Sequence, residues 1–346
     1  MTGKRTAAAL CAALAVLLAA CGNSTAAATS NSVEISSSVG TSNDAGTSAG
    51  TGTSTQPATG ATAAGPGPSS GSVSAGPAGG SGSGGSVSPA ATSNQLRVEA
   101  DDTATAMSYR IQGQPHPGRV RITFVNEGEV AHEMGLSLTK PGVTLDQLTA
   151  ALAKGEDEAR KLLIDPDTEI AGPGILGPGL TETTTVDLAA GHYVVVCFLP
   201  ATGGMPHVAM GMIGEFTVGG APSTDPAPGT SGTVTLTDKS ITVPSGFGAG
   251  GTYAVTNTGT KPHDFSLAAL KDQPLAALFQ CVGQSMGKGT PIDDCPGTLA
   301  GGVTTLAPGR TAYLSLTLAS GHYGYLSTQG DGADVAAGLQ GTFDVG

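Results

Sequence analysis

The sequence has no tryptophan, only 4% aromatic residues and only 12% charged residues in a chain of 346. Scarce aromatic side chains beside 54 glycines, with abundant Val and Thr, argue against a helical bundle and for short strands joined by turns. Basic residues are few as well: 15 Lys and Arg stand against 27 Asp and Glu, a formal net charge of −12. An acidic surface repels a phosphate backbone, which argues against a nucleic-acid partner. The apolar run Thr6 to Ala20 is too short to span a bilayer as a stable helix, and no other segment is long and apolar enough. There are only five cysteines, and each needs its own explanation.

Lys4 and Arg5 followed by that apolar run have the build of a secretory signal. Its end, Leu18-Ala19-Ala20-Cys21-Gly22, resembles the lipobox of bacterial lipoproteins, where the signal is cut before the cysteine and the thiol carries lipid. The resemblance implies a signal peptide over residues 1–20, lipidation at Cys21, and an extracytoplasmic protein anchored to the cell membrane. The alternative is an ordinary signal peptide with a chance cysteine. Residues 21–94 are Gly, Ser, Thr, Ala and Pro with almost no large apolar side chains. Such a stretch cannot bury enough surface to offset the entropy of ordering. The expectation is a disordered tether with a root-mean-square reach of about 45–50 Å.

The rest of the chain repeats itself. Asn126-Glu127-Gly128 precedes His132-Glu133, and Asn257-Thr258-Gly259 precedes His263-Asp264, each Asn six positions ahead of its His. Leu176-Gly177-Pro178-Gly179 and Leu306-Ala307-Pro308-Gly309 are each followed by Gly-His-Tyr, at 191–193 and 321–323. The halves close on Gly214-Glu215-Phe216-Thr217-Val218 and Gly341-Thr342-Phe343-Asp344-Val345. Two copies of one fold are expected, over residues 95–219 and 232–346, with a Pro- and Gly-rich linker at 220–231. Inside each copy the apolar period is two, as in Val120, Ile122 and Phe124, so each copy reads as a β-sandwich. One helical insertion is expected over Leu145 to Leu163, with a shorter counterpart near Leu275 to Val282. Cys281 and Cys295 sit close together in an oxidising compartment and are expected to pair. Cys11 leaves with the signal, so Cys197 is left without a partner, and a metal would explain it.

The first copy resembles a cupredoxin. An Asn-x-Gly segment ends a strand just before a His, here His132, and a Cys follows a Gly-x-Tyr strand, here Cys197. The loop after Cys197 continues to His207 and to Met212-Ile213-Gly214, an ending similar to auracyanin and to the type 1 site of copper nitrite reductases. The resemblance implies a Greek-key sandwich and one type 1 copper ion held by His132, Cys197, His207 and an axial Met212. Two imidazoles and a thiolate with a weak thioether suit both Cu(I) and Cu(II). Each residue alone has a plainer reading: Cys197 as a buried thiol, His132 as a turn residue, Met210 and Met212 as core. Met210 is the competing axial candidate. The family often has Asn after the first His, whereas this chain has Glu133, which leaves the bracing of the site open. His192 and His322 read as turn or surface residues, and His116 as loop.

The second copy lacks the set. Ser327 aligns with Cys197 and Leu339 with Met212, and no His lies between them. Only His263 remains, opposite His132, so this copy reads as a degenerate cupredoxin-like domain. The functional expectation is one-electron transfer with a redox partner protein outside the cytoplasmic membrane. Copper buffering or delivery and a metal-free surface module are the alternatives. A multicopper enzyme would need a His beside the Cys ligand, but the neighbours are Val196 and Phe198, and no His-x-His pair occurs. The expectation is therefore a carrier rather than a catalyst.

Overall fold

The computed structural model describes residues 94–102, 106–164, 170–330 and 332–346. The expected signal, the expected lipidation site at Cys21 and the expected tether up to residue 93 lie outside the described residues. No helix among the described residues is long and apolar enough to cross a membrane.

Alternating side chains make the strands. In β3 (Gly118–Asn126), Val120, Ile122 and Phe124 are wholly buried while Arg121 faces solvent, the period expected of a strand with one face on a core. It runs parallel to β1 (Gln95–Asp102), which forms a hairpin with β2 (Met107–Gln112). After β4 (Gly135–Leu138), β5 (Thr181–Leu188) lies antiparallel to β3. β6 (Gly191–Val196) and β7 (Ile213–Val218) complete the first copy. Residues 219–231 form neither helix nor strand. The second copy follows the same plan with β8 (Gly232–Thr237), β9 (Ser240–Thr242), β10 (Gly251–Asn257) and β11 (His263–Ala269). It ends with β12 (Thr298–Leu306), β13 (Thr311–Leu316), β14 (Gly321–Leu326) and β15 (Gln340–Val345).

The copies share one sheet. Its order is β2-β1-β3-β5-β13-β10-β8-β9, and β5 meets β13 through Thr183–Ser315, Thr184–Leu314 and Thr185–Tyr313. The order reads the same from either edge once equivalent strands are matched, with β8 parallel to β10 as β1 is to β3. Smaller sheets, β4-β6-β7 and β12-β11-β14-β15, complete the two sandwiches. The architecture is all-β, and one apolar core draws on residues from both copies. The repeated Gly-His-Tyr has a packing role. Tyr193 stacks on Phe216 and donates to the Ala189 carbonyl, as Tyr323 stacks on Phe343 and donates to Ala319.

The helices differ from expectation. The insertion in the first copy is two helices, α1 (Leu145–Leu152) and α2 (Glu156–Arg160), interrupted at Gly155. Thr144 and Gln147 form a capping box at its start, and Leu145, Leu148, Leu152 and Leu162 share one cluster with Val194. The counterpart in the second copy is longer, not shorter: α3 spans Leu275–Lys288. Its apolar face extends past Val282 to Met286, which packs on the main core. Cys281 and Cys295 are joined in a disulfide. A short helix α4 (Ala333–Ala337) precedes β15.

A buried carboxylate stands where the copies meet. Glu182 accepts hydrogen bonds from the Gly302 and Gly174 N–H groups and from the Thr184 hydroxyl. Burial raises its pKa from the ordinary 4.5 to about 7, opposed by those three donors. A raised acid pKa means the folded state holds a proton that the unfolded state has released. The contribution to stability is complete below the unfolded value and is lost as pH rises through the folded value. Thermal unfolding of the wild type is predicted to fall in midpoint between about pH 5 and about pH 8, and Glu182→Gln to flatten that fall. Parallel curves for the two proteins would place the pH dependence elsewhere.

Candidate metal centre

The sheet ends bring three donors together. His132 lies in the loop after β3, Cys197 follows β6, and His207 opens a short 3-10 turn, His207–Met210, before β7. His132 and Cys197 are 0% exposed and His207 2%. His132 Nδ1 is 3.2 Å from His207 Nδ1, and Cys197 Sγ is 3.3 Å from His207 Nδ1. One donor atom from each of the three lies within 4.8 Å of the others.

Main-chain bonds fold the ligand loop. The Cys197 N–H donates to the Met212 carbonyl (3.2 Å) and the Met212 N–H to the His207 carbonyl (3.0 Å). The Val208 N–H donates to Cys197 (2.7 Å) and the His207 N–H to Leu199 (2.9 Å). Met212 is 0% exposed and belongs to the core beside Cys197, whereas Met210 is half-buried at its margin. His192 points elsewhere, bonded to Thr139 and Glu215, and His322 to Asp344. His116 lies in a loop next to Asn94.

The loop that carries His132 is set by Asn126. Its amide donates to the Val130 and Leu176 carbonyls and accepts from the Gly128 N–H. Asn257 does the same with Lys261, Leu306 and Gly259. Gly128 is glycine because a side chain there has no room: a Cβ would lie 2.1 Å from Asp102 Oδ2 and 2.9 Å from His132 Nε2.

That crowding reveals a residue the sequence did not. Asp102 Oδ2 is 3.0 Å from His132 Nε2 and also accepts from the Glu129 and Val130 N–H groups. The carboxylate fixes the proton on Nε2 and leaves the Nδ1 lone pair aimed into the pocket, the arrangement common behind metal-bound histidines. Asp238 repeats it with His263, Thr260 and Lys261. Glu133 also braces the site, since its carboxylate accepts the Phe198 N–H at 2.5 Å, directly after Cys197. Tyr109 donates to the Glu133 carbonyl, and its hydroxyl borders the Cys197 thiol.

Electrostatics suit neutral nitrogen donors. Burial lowers His207 to about 4, with the neighbouring His132 adding to the shift. Burial also lowers His132, against the pull of Asp102. The Cys197 thiol is pushed well up, first by burial and then by the Glu133 charge. A metal that takes the thiolate must displace its proton.

In the second copy the same scaffold holds a different set. The Ser327 N–H bonds the Leu339 carbonyl as Cys197 bonds Met212, and the Leu339 N–H bonds Asp334 as Met212 bonds His207. Asp334 therefore stands where His207 stands. Its carboxylate is 2.6 Å from His263 Nδ1 and accepts from the Ser327 hydroxyl. The second pocket is a hydrogen-bonded Asp334–His263–Asp238 chain, with Ser327 also bonded to Asp264.

Asp102→Ala is predicted to lower metal affinity about 10–100-fold, the usual cost of losing a partner behind a ligating histidine. Asp238→Ala is predicted to leave it unchanged. Competition titration against a chelator checks both, and equal effects from the two variants would contradict the assignment.

No family model matches the chain, and no curated protein matches it. Solved structures do. Auracyanin from Roseiflexus castenholzii is similar over 35% of this chain and 99% of its own, at 21% identity and a TM-score of 0.24. Rusticyanin from Thiobacillus ferrooxidans is similar over 37% of this chain and 79% of its own, at 22% identity and a TM-score of 0.23. A multicopper oxidase spans more, 73% of this chain and 88% of its own, at 16% identity and a TM-score of 0.20. Likeness at this distance carries no function across, and the chemistry of the site rests on its own donors.

Proposed function

We propose that the chain is a one-electron carrier with a single type 1 copper site held by His132, Cys197, His207 and Met212. The observation that carries this reading is the buried His132–Cys197–His207 cluster, with its donor atoms within 4.8 Å of one another. Donors about 3 Å apart fit around one ion at bond lengths of roughly 2.0–2.3 Å. Two imidazoles and a thiolate with a weak axial thioether form the donor set of a blue-copper electron-transfer site. Bound there, copper supplies a one-electron couple between Cu(II) and Cu(I).

The residues of the chain do the rest. Asp102 orients His132, Glu133 holds the Phe198 N–H, and the bonds among Cys197, Met212, His207 and Val208 fix the loop. Ligands held this firmly move little between oxidation states, which speeds electron exchange. Two large apolar side chains of the ligand loop are exposed, Phe198 (43%) and Met205 (41%). They offer an apolar contact for a redox partner protein.

The anchoring belongs to the same proposal. Cys21 carries lipid, the protein works outside the cytoplasmic membrane, and the segment before residue 94 serves as the tether. The chain enters the described fold at Asn94, tied to His116 and Arg119, and β1 then runs to Asp102 behind His132. An eight-residue strand covers about 25 Å, so Asn94 and the metal pocket stand at opposite ends of β1.

Copper buffering or delivery is the second reading, favoured by Met205, whose soft thioether is exposed at the tip of the ligand loop. Kinetics separate the two. A carrier exchanges electrons quickly with a small redox mediator and yields copper slowly to a Cu(I) chelator, whereas a donor does the opposite. Intrinsic oxidase or nitrite-reducing turnover by the copper-loaded protein would contradict the carrier reading.

The copper-loaded protein is predicted to show an intense thiolate-to-copper absorption that bleaches on reduction and is abolished in Cys197→Ser. Met212→Leu should shift the reduction potential while Met210→Leu should not, and the reverse would move the axial role to Met210. A colourless Cu(II) complex would overturn the site. For the anchor, Cys21→Ala is predicted to abolish incorporation of labelled lipid, and normal membrane retention of that variant would refute the lipidation reading.

A further inference from the structure

The second copy reaches over the metal pocket of the first. The contact is made by the segment between Cys281 and Cys295, which are joined in a disulfide across 14 positions. It begins on α3 and turns at Gly289, which has φ 65°. The Gly289 N–H and the Thr290 N–H both bond the Ser285 carbonyl, and the Cys295 N–H bonds Ile292. Disulfide and turn bonds make it one compact loop.

This loop touches both histidine-bearing loops. Asp293 accepts the Ala131 N–H with both carboxylate oxygens, at 2.9 and 3.1 Å, one residue before His132. Gly289 lies main chain to main chain against Gly204 in the Cys197–His207 loop, where a Cβ on Gly289 would come within 2.7 Å of Gly204 Cα. Between these contacts Ile292 is buried in the core that holds Cys197 and Met212. Met286 lines a cleft with Pro206 and Val208. The outcome is a pocket whose three clustered donors are at most 2% exposed.

We propose that the second copy is a lid on the first copy's metal pocket, clamped by the Cys281–Cys295 loop through Asp293 and Gly289. It keeps water, small thiols and chelators from Cys197. The copy that has lost its own donors thus controls access to those of its neighbour. The inference rests on the copper reading only for what the lid protects; the lid itself is a property of the polypeptide.

Access to Cys197 in metal-stripped full-length protein tests the lid. The rate of its alkylation by iodoacetamide is followed by peptide mass spectrometry, which separates it from the other cysteines. Gly289→Ala introduces the collision with Gly204. Gly309→Ala is the control, because Gly309 also has positive φ (73°) in the second copy but its Cβ would meet nothing within 4 Å. The pair separates loss of the lid contact from backbone strain in general. A second variant, Cys281→Ser with Cys295→Ser, releases the clamp without touching Gly204, and Asp293→Asn weakens the hold on the His132 loop. Opening of a local element raises reactivity without global unfolding. Gly289→Ala and the double serine variant are expected to react about tenfold faster or more than wild type, with Gly309→Ala close to wild type. Equal rates in Gly289→Ala and Gly309→Ala, with no acceleration in the double serine variant, would overturn the lid. Copper loss to a chelator from the loaded proteins should follow the same order. Accelerated alkylation in a protein that binds no copper would keep the lid and reject the copper reading.

Discussion

The hydrogen bond from the Cys197 N–H to the Met212 carbonyl holds the site together. It closes the loop between β6 and β7, so that Cys197 at the end of one strand and Met212 at the start of the next are neighbours by construction. His207 is folded back by bonds to the same two residues or their neighbours, with its carbonyl on Met212 and its N–H on Leu199. The second copy keeps this closure between Ser327 and Leu339 although the donors are gone. The loop geometry is thus a property of the fold, and the metal chemistry is a choice of side chains placed on it.

The comparison of the two copies shows what such a scaffold does with a buried histidine. His132 faces a thiol and a second imidazole, with Asp102 behind it; His263 faces Asp334, with Asp238 behind it. A buried imidazole needs partners on both nitrogens. In one copy the inner nitrogen is turned toward a neutral, soft donor set, and in the other toward a carboxylate. With Asp334 in the place of His207 and Ser327 in the place of Cys197, the cluster becomes a closed hydrogen-bond chain, while the main-chain bonds that close the loop are kept.

Much of this was legible in the sequence, for physical reasons that can be named. Asn-x-Gly before each His is visible because the Asn126 and Asn257 amides and the crowded glycines require those residue types. Gly-His-Tyr is visible because Tyr193 and Tyr323 pack alike. The order of His132, Cys197 and His207 in the sequence names three side chains whose donor atoms lie within 4.8 Å of one another. Asp102 and Asp238 were hidden because they lie at unequal distances before Asn126 and Asn257, so aligning the repeats does not superpose them. The match of Asp334 with His207 was hidden in the same way, since the loops from Cys197 and from Ser327 differ in length. The shared sheet and the Asp293 and Gly289 contacts are made between copies, and no local pattern records them.

On the proposed reading, the polypeptide alone preforms a pocket for one copper ion. Crystal structures of metal-stripped and copper-loaded protein, with anomalous scattering to locate the metal, test it most directly. A single strong copper peak is expected, held by His132, Cys197 and His207, with Met212 as the fourth ligand. Ligand shifts between the two states are expected to be less than about 0.5 Å, the tolerance of a preorganised site. Copper bound elsewhere, or ligand loops that rearrange to reach it, would overturn the preformed pocket.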